Sequence, residues 1–580
     1  MSLPNESKDQ PLWIYPKEDE ALLESIVEEF RIHPVTAQVL VSRGISSIEE
    51  INNYLYAKLP DLYDPQLFPE MNQAIARVAE AFEAKQAILI YGDNDVDGMT
   101  GTALLVDLLK TLGAEVFYYV PNRNNLKQSL LLDALDYALK NNCKLLITVD
   151  CGITAAQNIE EIVKENVDVM ITDHHEPTDT IPHCVATLNP KLNQANYPNR
   201  ELTGVGVAFK LAHALINNFI ERGWIDEKTI DLKDYLDLVA LGTISDMGAL
   251  LDENRILVRY GLQQMKHTKR IGLSKLFTIS DLKSTDINVS EIASKIAPRL
   301  NSLGRIADPR KGVELLLIQD AEKAEALAQE LNLNNIERRK IERNVSVQVD
   351  QMLQTDPAIL KEKALVLYSP QWHPGVIPIV TTRLARQYNR PIVMLSVENG
   401  HAKGSARSIR EFPLLPILKN NEQYLINFGG HDYAAGLTMD SAKIEVFKQA
   451  FIRDANAKLK DTDVISKLSI DARVDFEQIN FDFMESLNLL CPYGNENPAP
   501  VLYCDVIQTW PPKIIGKQHL KLYVEQNGRM LEGIAFGMAS RSKQIRKKNI
   551  TLRIAFTPQI NDFQNKISIQ LLIRDFHIKQ

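Results

Sequence analysis

The stretch AILIYGDNDVDGMTGTALLVDLL, residues 87–109, decides how this chain folds. AILIY (87–91) is a short apolar run of the kind that becomes a buried strand. GDNDVDG (92–98) follows as a turn with alternating carboxylates at Asp93, Asp95 and Asp97. The pattern then predicts a helix from about Thr100 to Leu112. Strand, acidic turn and helix in that order open an α/β unit. A calcium loop of the EF-hand type is excluded, because its twelfth position, counted from Asp93, is Leu104 and not a glutamate.

Reading outward, VFYYV (116–120) is the next strand, followed by a helix near Leu131 to Lys140. LLITV (145–149) is a strand, Ala155 to Glu165 a helix, and VDVMIT (167–172) a further strand. Strands alternating with helices of this length mean a parallel sheet covered by helices. In such sheets the ligand site lies at the carboxyl ends of the strands. Asp150 directly follows LLITV, and Asp173, His174 and His175 follow VDVMI. Asp246 ends the apolar helix YLDLVALGTISD (235–246) and joins the set. Carboxylates suit hard divalent cations, and imidazole suits Mn²⁺, Fe²⁺ or Zn²⁺. A mixed Asp/His set without thiolates fits two Mn²⁺ or Mg²⁺ ions.

The chain has 580 residues and a mass of 65.5 kDa. That length suggests about four domains. With 45% hydrophobic and 24% charged residues, the composition excludes a fibrous or wholly disordered chain. The net charge is -9, from 65 basic and 74 acidic residues. Proteins that coat nucleic acid are usually basic, so any nucleic-acid site must be a local groove. The five cysteines form no Cys-x-x-Cys pair. They read as reduced thiols, with no structural zinc site. The N-terminus carries no signal peptide, and the uncharged stretch Ala364 to Thr382 is broken by three prolines. A cytoplasmic protein is the expectation.

Residues 1–60 read as a helical lead-in and 61–315 as the first α/β domain. Residues 316–355 form a connecting helix, charged from about Asp320 to Leu353, that spans ~50 Å. A second α/β domain, 356–460, holds the strands ALVLY (364–368) and PIVML (391–395) and ends in a Gly-rich stretch, Phe428 to Gly436. Residues 461–580 hold the short strands VLYCDV, LKLYVE, MLEGIAF, ITLRIAF and ISIQLLI, consistent with a small β-barrel. Within KGSARSI (403–409), Gly404 permits close backbone approach. Ser405 and Arg407 point the same way from an extended strand, and arginine offers a planar fork for phosphate oxygens.

GDNDVDG, VDCGI (149–153), TDHHEP (172–177) and GTISD (242–246), in this order, resemble the motifs of the DHH phosphoesterase superfamily. TGVGVAFKL (203–211), APRLNSLGRIADP (297–309), WHPGVIPIVTTRL (372–384), KGSARSI and FGGHDYAAGLTM (428–439) narrow the resemblance to the RecJ family of single-strand-specific exonucleases. PYGNENPAPV (492–501) and the terminal β region are similar to that family's OB-fold part. The likeness runs from about residue 50 to 580. It implies a DHH parallel-sheet domain, a long connecting helix, a DHH-associated α/β domain and a C-terminal OB-fold barrel. It implies a monomeric, cytoplasmic bacterial hydrolase that degrades single-stranded DNA 5′ to 3′ into 5′-mononucleotides, in recombination and repair. A single-strand-binding protein and a DNA helicase are the implied partners.

By the same resemblance, Asp97, Asp150, His174 and Asp246 hold one Mn²⁺ or Mg²⁺ ion. Asp95 and Asp150, with Asp93, hold the other. His175 lies behind the metal or touches the phosphate. Arg123, Ser405 and Arg407 bind the terminal 5′-phosphate, and Arg299, Asn301, Arg305, His373 and His431 follow the strand. The basic runs Arg338 to Lys340 and Arg541 to Lys548, with His519 and Lys521, are further candidates for the groove. Two departures from relatives stand out. Tyr91 occupies a position where other superfamily branches carry histidine. Relatives also carry a Glu-Gly-Tyr-Gly stretch after the arginine, whereas Arg123 is followed by NNLKQSLLL, with Gln128 near the tyrosine's place. Tyr118, Tyr119 and Trp372 are the candidate substitutes for that aromatic. No nucleotide-binding Gly-x-x-x-x-Gly-Lys motif is present, so no nucleotide cofactor is expected. The rival readings are a phosphoesterase of short oligoribonucleotides or cyclic dinucleotides, and a non-catalytic single-strand scaffold.

Overall fold

The computed structural model describes residues 10–17, 19–122, 130–193, 196–563 and 566–579. The chain starts with β1 (Leu12–Ile14), α1 (Glu20–Phe30), α2 (Pro34–Ser42) and α3 (Ile48–Tyr56). The first α/β lobe follows: α4 (Met71–Glu83), β2 (Ala87–Gly92), α5 (Val96–Thr111), β3 (Val116–Tyr119), α6 (Leu130–Lys140), β4 (Cys143–Val149), α7 (Ala156–Lys164), β5 (Asp168–Thr172) and β6 (Ala186–Leu188). Its sheet has the order β3-β2-β4-β5-β6, parallel throughout.

Strand alternation explains the two covering layers. Ile88, Ile90, Leu145, Ile147 and Val149 face the larger core, with α4 and α5. Leu89, Tyr91 and Leu146 face the opposite layer, with α6 and α7. The larger core is completed by α8 (Gly204–Glu221), α9 (Leu236–Ser245), α10 (Asp252–Met265) and α11 (Ile271–Ile279). The short α12 (Val289–Glu291) runs through a π turn into α13 (Ala297–Ile306), and α14 (Arg310–Leu317) follows.

The connecting helix is α15 (Ala321–Thr355), 35 residues long. Ala328 and Leu331 are buried in the first lobe's core, and Val345, Val349 and Leu353 in the second's. The helix is therefore fixed at both ends. The second lobe contains β7 (Leu365–Ser369), α16 (Ile377–Tyr388), β8 (Ile392–Glu398), β9 (His401–Arg407), α17 (Leu414–Asn420), β10 (Asn427–His431), β11 (Ala434–Asp440) and α18 (Ile444–Lys458). Its sheet order is β10-β11-β9-β8-β7, with only β7 and β8 parallel. The Gly-rich stretch does not end this lobe. It forms the edge hairpin β10–β11, and α18 then returns across the sheet to bury Phe447 and Phe451.

The last region holds β12 (Lys467–Ser469), β13 (Ala472–Arg473), α19 (Phe481–Asn488), β14 (Leu502–Gln508), β15 (Lys513–Ile515), β16 (His519–Gln526), β17 (Arg529–Ala535), β18 (Ile550–Phe563) and β19 (Lys566–Ile578). β14 pairs with β18 and also with β16, so the strands β14-β18-β19-β17-β16 close into a barrel. Closure removes the edges an open sheet would expose. The helices of the N-terminal lead-in pack onto this barrel. Ile26, Val39, Leu40 and Leu55 share one hydrophobic core with the barrel. β1 pairs in parallel with β12, and Trp13 Nε1 donates to Asp575 Oδ2 at 2.7 Å.

Candidate metal centre and cleft

The acidic turn is shorter than its sequence suggests. α5 begins at Val96, because the Asp95 carboxylate accepts the Gly98 N–H at 3.1 Å and caps the helix. Asp97 therefore sits in the first turn of the helix, 1% exposed. Its two oxygens accept N–H bonds from Gly204 (2.7 Å) and Val205 (2.9 Å) at the start of α8. Asp150 follows β4 with φ 62 and is 2% exposed. A left-handed aspartate at a strand end carries strain that its surroundings must hold.

His174 Nε2 lies 3.0 Å from Asp150 Oδ1 and 3.8 Å from both Asp97 Oδ2 and Asp246 Oδ2. Asp97, His174 and Asp246 thus present ligand atoms to one point, and Asp93, Asp95 and Asp150 to another. Burial, then the neighbouring Asp246, pushes the Asp97 carboxyl up to about 7. Burial, then Asp95, does the same at Asp246, also to about 7. Asp150 is raised well above the carboxylate range by burial and then by Asp97, Asp95, Asp246 and Asp93. Burial lowers the pKa of His174, which favours the neutral ring. Asp150 Oδ1 is buried and, beside His174 Nε2, has no hydrogen-bond partner among the described residues. Crowded carboxylates, a neutral imidazole and an orphaned oxygen are the donor set a hard divalent cation satisfies.

His175 is set up differently. Its Nδ1 lies 2.8 Å from Asp173 Oδ1, and that bond raises its pKa to about 9 despite burial. Asp173 is buried, which pushes its pKa up, but bonds from His175 and Ile153 outweigh this and hold it below the usual range. His175 thus favours the imidazolium form, and one of its ring nitrogens also lies within reach of Asp150 and His174. Tyr91 is buried, and its ring stacks on Tyr119 at 6.1 Å.

The second lobe faces this cluster with a cation. Arg407 Nε donates to Thr382 Oγ1 (3.0 Å), and its Nη1 to Ser405 Oγ (2.9 Å) and the Ala406 carbonyl (2.8 Å). Burial lowers its pKa, and no carboxylate pairs with it among the described residues. His431, at the end of β10, has its pKa lowered by burial, then by the charges of Arg407 and Lys191, and it also feels His175 across the cleft. α13 roofs the acidic turn: Asn301 Oδ1 accepts the Val96 N–H at 3.2 Å. Arg305 Nη1 donates to the Gly375 carbonyl at 2.9 Å and ties α13 to the second lobe. His373 Nδ1 accepts the Gly375 N–H at 3.1 Å in the same turn.

Other expected residues sit elsewhere. Arg123 and Gln128 lie outside the described residues. Arg299 spends its guanidinium on Asn332 (3.0 Å) and the Lys295 carbonyl. Trp372 is no substitute for a stacking aromatic: it is buried against α15 and α16, with Nε1 donating to Gln348. Arg338 is buried and bound to Glu342 and Asn335, which leaves Arg339 and Lys340 exposed. Arg541 is taken up by Asp575 and the Phe576 carbonyl, while Lys548 lies over the Trp510 ring at 4.4 Å. His519 Nδ1 accepts the Gly537 N–H, and Lys521 pairs with Glu532. One group escaped the sequence reading. Lys191 follows β6; its charge opposes the rise that burial and Asp95 cause at Asp246 and adds slightly to the fall that burial causes at His174. The strand-end argument applied to ATL (186–188) and the NPK after it would have found Lys191.

A parallel sheet that collects Asp and His at its strand ends, faced by a basic second lobe, defines a hydrolase of the DHH phosphoesterase class. Residues 87–243 match the DHH family N-terminal domain, 361–457 the DHHA1 domain and 470–575 the RecJ OB domain. The chain belongs to the RecJ family of single-stranded-DNA-specific exonucleases. It is 33% identical over 572 residues to the Bacillus subtilis (strain 168) member, covering 98% of this chain and 71% of that one. It is 31% identical to the Escherichia coli (strain K12) member, covering 93% and 95%. The crystal structure of Thermus thermophilus RecJ with Mn²⁺ superposes with a TM-score of 0.82 at 27% identity, covering 98% of this chain and 80% of that one. The Mg²⁺ complex of the same protein gives 0.72 at 26%, covering 98% and 79%.

Proposed function

We propose that the chain, a single-strand-specific exonuclease by family, degrades single-stranded DNA from its 5′ end and releases 5′-mononucleotides. The observation that carries this polarity is the half-buried Arg407 guanidinium, which has no carboxylate partner among the described residues and lies beside Ser405. A partly desolvated cation without a counter-charge attracts an anion, and a terminal 5′-phosphate is an anion its fork fits.

Asp97, Asp150, His174 and Asp246 would hold one divalent cation, and Asp95 and Asp150, with Asp93, the second. When bound, the two ions supply Lewis acidity to the phosphoryl oxygens and a water of lowered pKa. The chain's own groups do the rest. Gly204 and Val205 N–H groups fix both oxygens of Asp97. The His175 imidazolium, oriented by Asp173, donates to a phosphate oxygen and adds positive charge where negative charge develops. Ser405 and Arg407, with Arg123, hold the 5′-phosphate so that the next phosphodiester reaches the cluster. Asn301 holds the acidic turn; Arg305 and His373 hold the inter-lobe turn; His431 and Lys191 face the strand between the lobes. A single-strand-binding protein and a helicase would supply the strand during recombination and repair.

The test is cleavage of a 5′-phosphorylated, 3′-labelled single strand with Mn²⁺, beside a blunt duplex and the Asp150→Ala variant. A ladder that shortens from the 5′ end, absent with duplex and with the variant, is expected. Binding without cleavage, or cleavage confined to dinucleotides, overturns the reading.

A further inference from the structure

The turn after Asp246 is closed by a residue from the barrel end of the chain. α9 finishes with Met247 N donating to Ile244 O (3.3 Å) and Gly248 N to Thr243 O (2.9 Å). Met247 takes φ 60, the left-handed position that glycine usually fills at a helix end. Its carbonyl accepts the Asn495 Nδ2–H at 2.7 Å, and Leu250 N donates to the Asn495 carbonyl at 3.0 Å. A methyl on Gly494 would lie 2.5 Å from Leu250 Cδ1, so the two loops touch. The loop bearing Asn495 is itself held: Asn497 Oδ1 accepts from Arg43 Nη1 and the Tyr54 hydroxyl, both at 2.6 Å. Arg255 of α10 donates to the Leu489 and Leu490 carbonyls just before it.

We propose that Asn495 is a positioning residue for Asp246. It holds a left-handed, non-glycine turn one peptide away from the carboxylate, and so ties the cation affinity of the first lobe to the docking of the barrel region. The proposal rests on the reading of Asp246 as a ligand. Residues that orient ligands from behind change metal affinity by roughly 10–100-fold when removed.

The test measures Mn²⁺ binding to the full chain by titration calorimetry, with kcat and KM for a single strand alongside. Asn495→Ala keeps the backbone bond to Leu250, so the loop stays docked. It is expected to weaken Mn²⁺ binding about tenfold and to lower kcat at limiting Mn²⁺ without raising KM. Adding Met247→Gly is expected to restore the affinity, because glycine takes the left-handed turn unaided. Asn495→Asp, of equal size and also without the donor, serves if the alanine variant does not fold. Asp246→Ala separates the two readings. If it leaves Mn²⁺ binding intact, Asp246 is not a ligand. If it loses an ion while Asn495→Ala binds like the parent, the positioning role is overturned. A change in KM alone also overturns it.

Discussion

Gly204 stands against Asp150: a methyl group on its Cα would lie 2.6 Å from the Asp150 carboxylate. The same residue gives its N–H to Asp97. The first residue of α8 thus orients one carboxylate and leaves room for the other. Gly204→Ala should lower kcat about 10²-fold, the effect expected of a misplacement near 1 Å. Its melting temperature should fall only a few degrees, as overpacking by about 1–3 kcal/mol predicts. Mn²⁺-dependent cleavage beside a thermal melt checks both.

Asp150 is buried among acids that repel it, with an oxygen that accepts no hydrogen bond among the described residues. Replacing its carboxyl with an amide should remove the cost of holding an acid at this site in the metal-free fold. In EDTA, Asp150→Asn should melt about 2–6 °C above the parent, which corresponds to roughly 1–2 kcal/mol. With Mn²⁺ the order should reverse, because the variant gains less from ligand binding. Melts with and without the ion decide it, and a variant less stable in EDTA would refute the idea of a repulsive cluster.

Arg407 offers its guanidinium to an anion. Charge-assisted hydrogen bonds of about 1.5–3 kcal/mol predict that the parent prefers a 5′-phosphorylated strand over a 5′-hydroxyl strand by roughly 10–100-fold. Arg407→Ala should erase that preference. Arg407→Lys should not restore it, since an ammonium lacks the fork that meets Ser405 and phosphate together. Competition between the two labelled strands is the measurement.

In the barrel, hydrogen bonds from Arg553 and then Lys579 hold Asp505 down at about 2. A carboxylate lowered on folding contributes stability above its unfolded value of ~3.9 and loses it as the pH falls towards the folded value. The pair is partly exposed, so the contribution is about 1 kcal/mol or less. Asp505→Asn should be slightly less stable at pH 7, and the gap should close between pH 4 and pH 2. Urea melts at pH 7, 4 and 2.5 follow it.

Much of the site was legible because parallel strands deliver whatever follows them to one edge. Asp93, Asp95, Asp97, Asp150 and His174 each sit within a few residues of a strand end, so local pattern and global position agree. Asp246 was legible as the end of an apolar helix. What escaped were contacts between distant segments. Nothing near Met247 signals that Asn495, 248 positions later, closes its turn. Trp372 reads as an available ring until α15 and α16 bury it. Ile26, Val39 and Leu40 show helical spacing but not that their cover is a barrel at the other end of the chain.

That shared core has a consequence for how the protein is made. Trp13 and Asp575 are 562 positions apart, and β1 finds its partner only at Lys467–Ser469. At about 5–20 residues per second, a ribosome needs roughly 30–110 s to travel from one to the other. Both α/β lobes can be built from contiguous sequence in that interval, while α1 to α3 wait with Ile26, Val39 and Leu40 uncovered. The nascent chain should therefore hold its opening helices as a sticky, protease-sensitive arm until translation is almost over. A holdase that shields this arm would raise yield more than one acting after release.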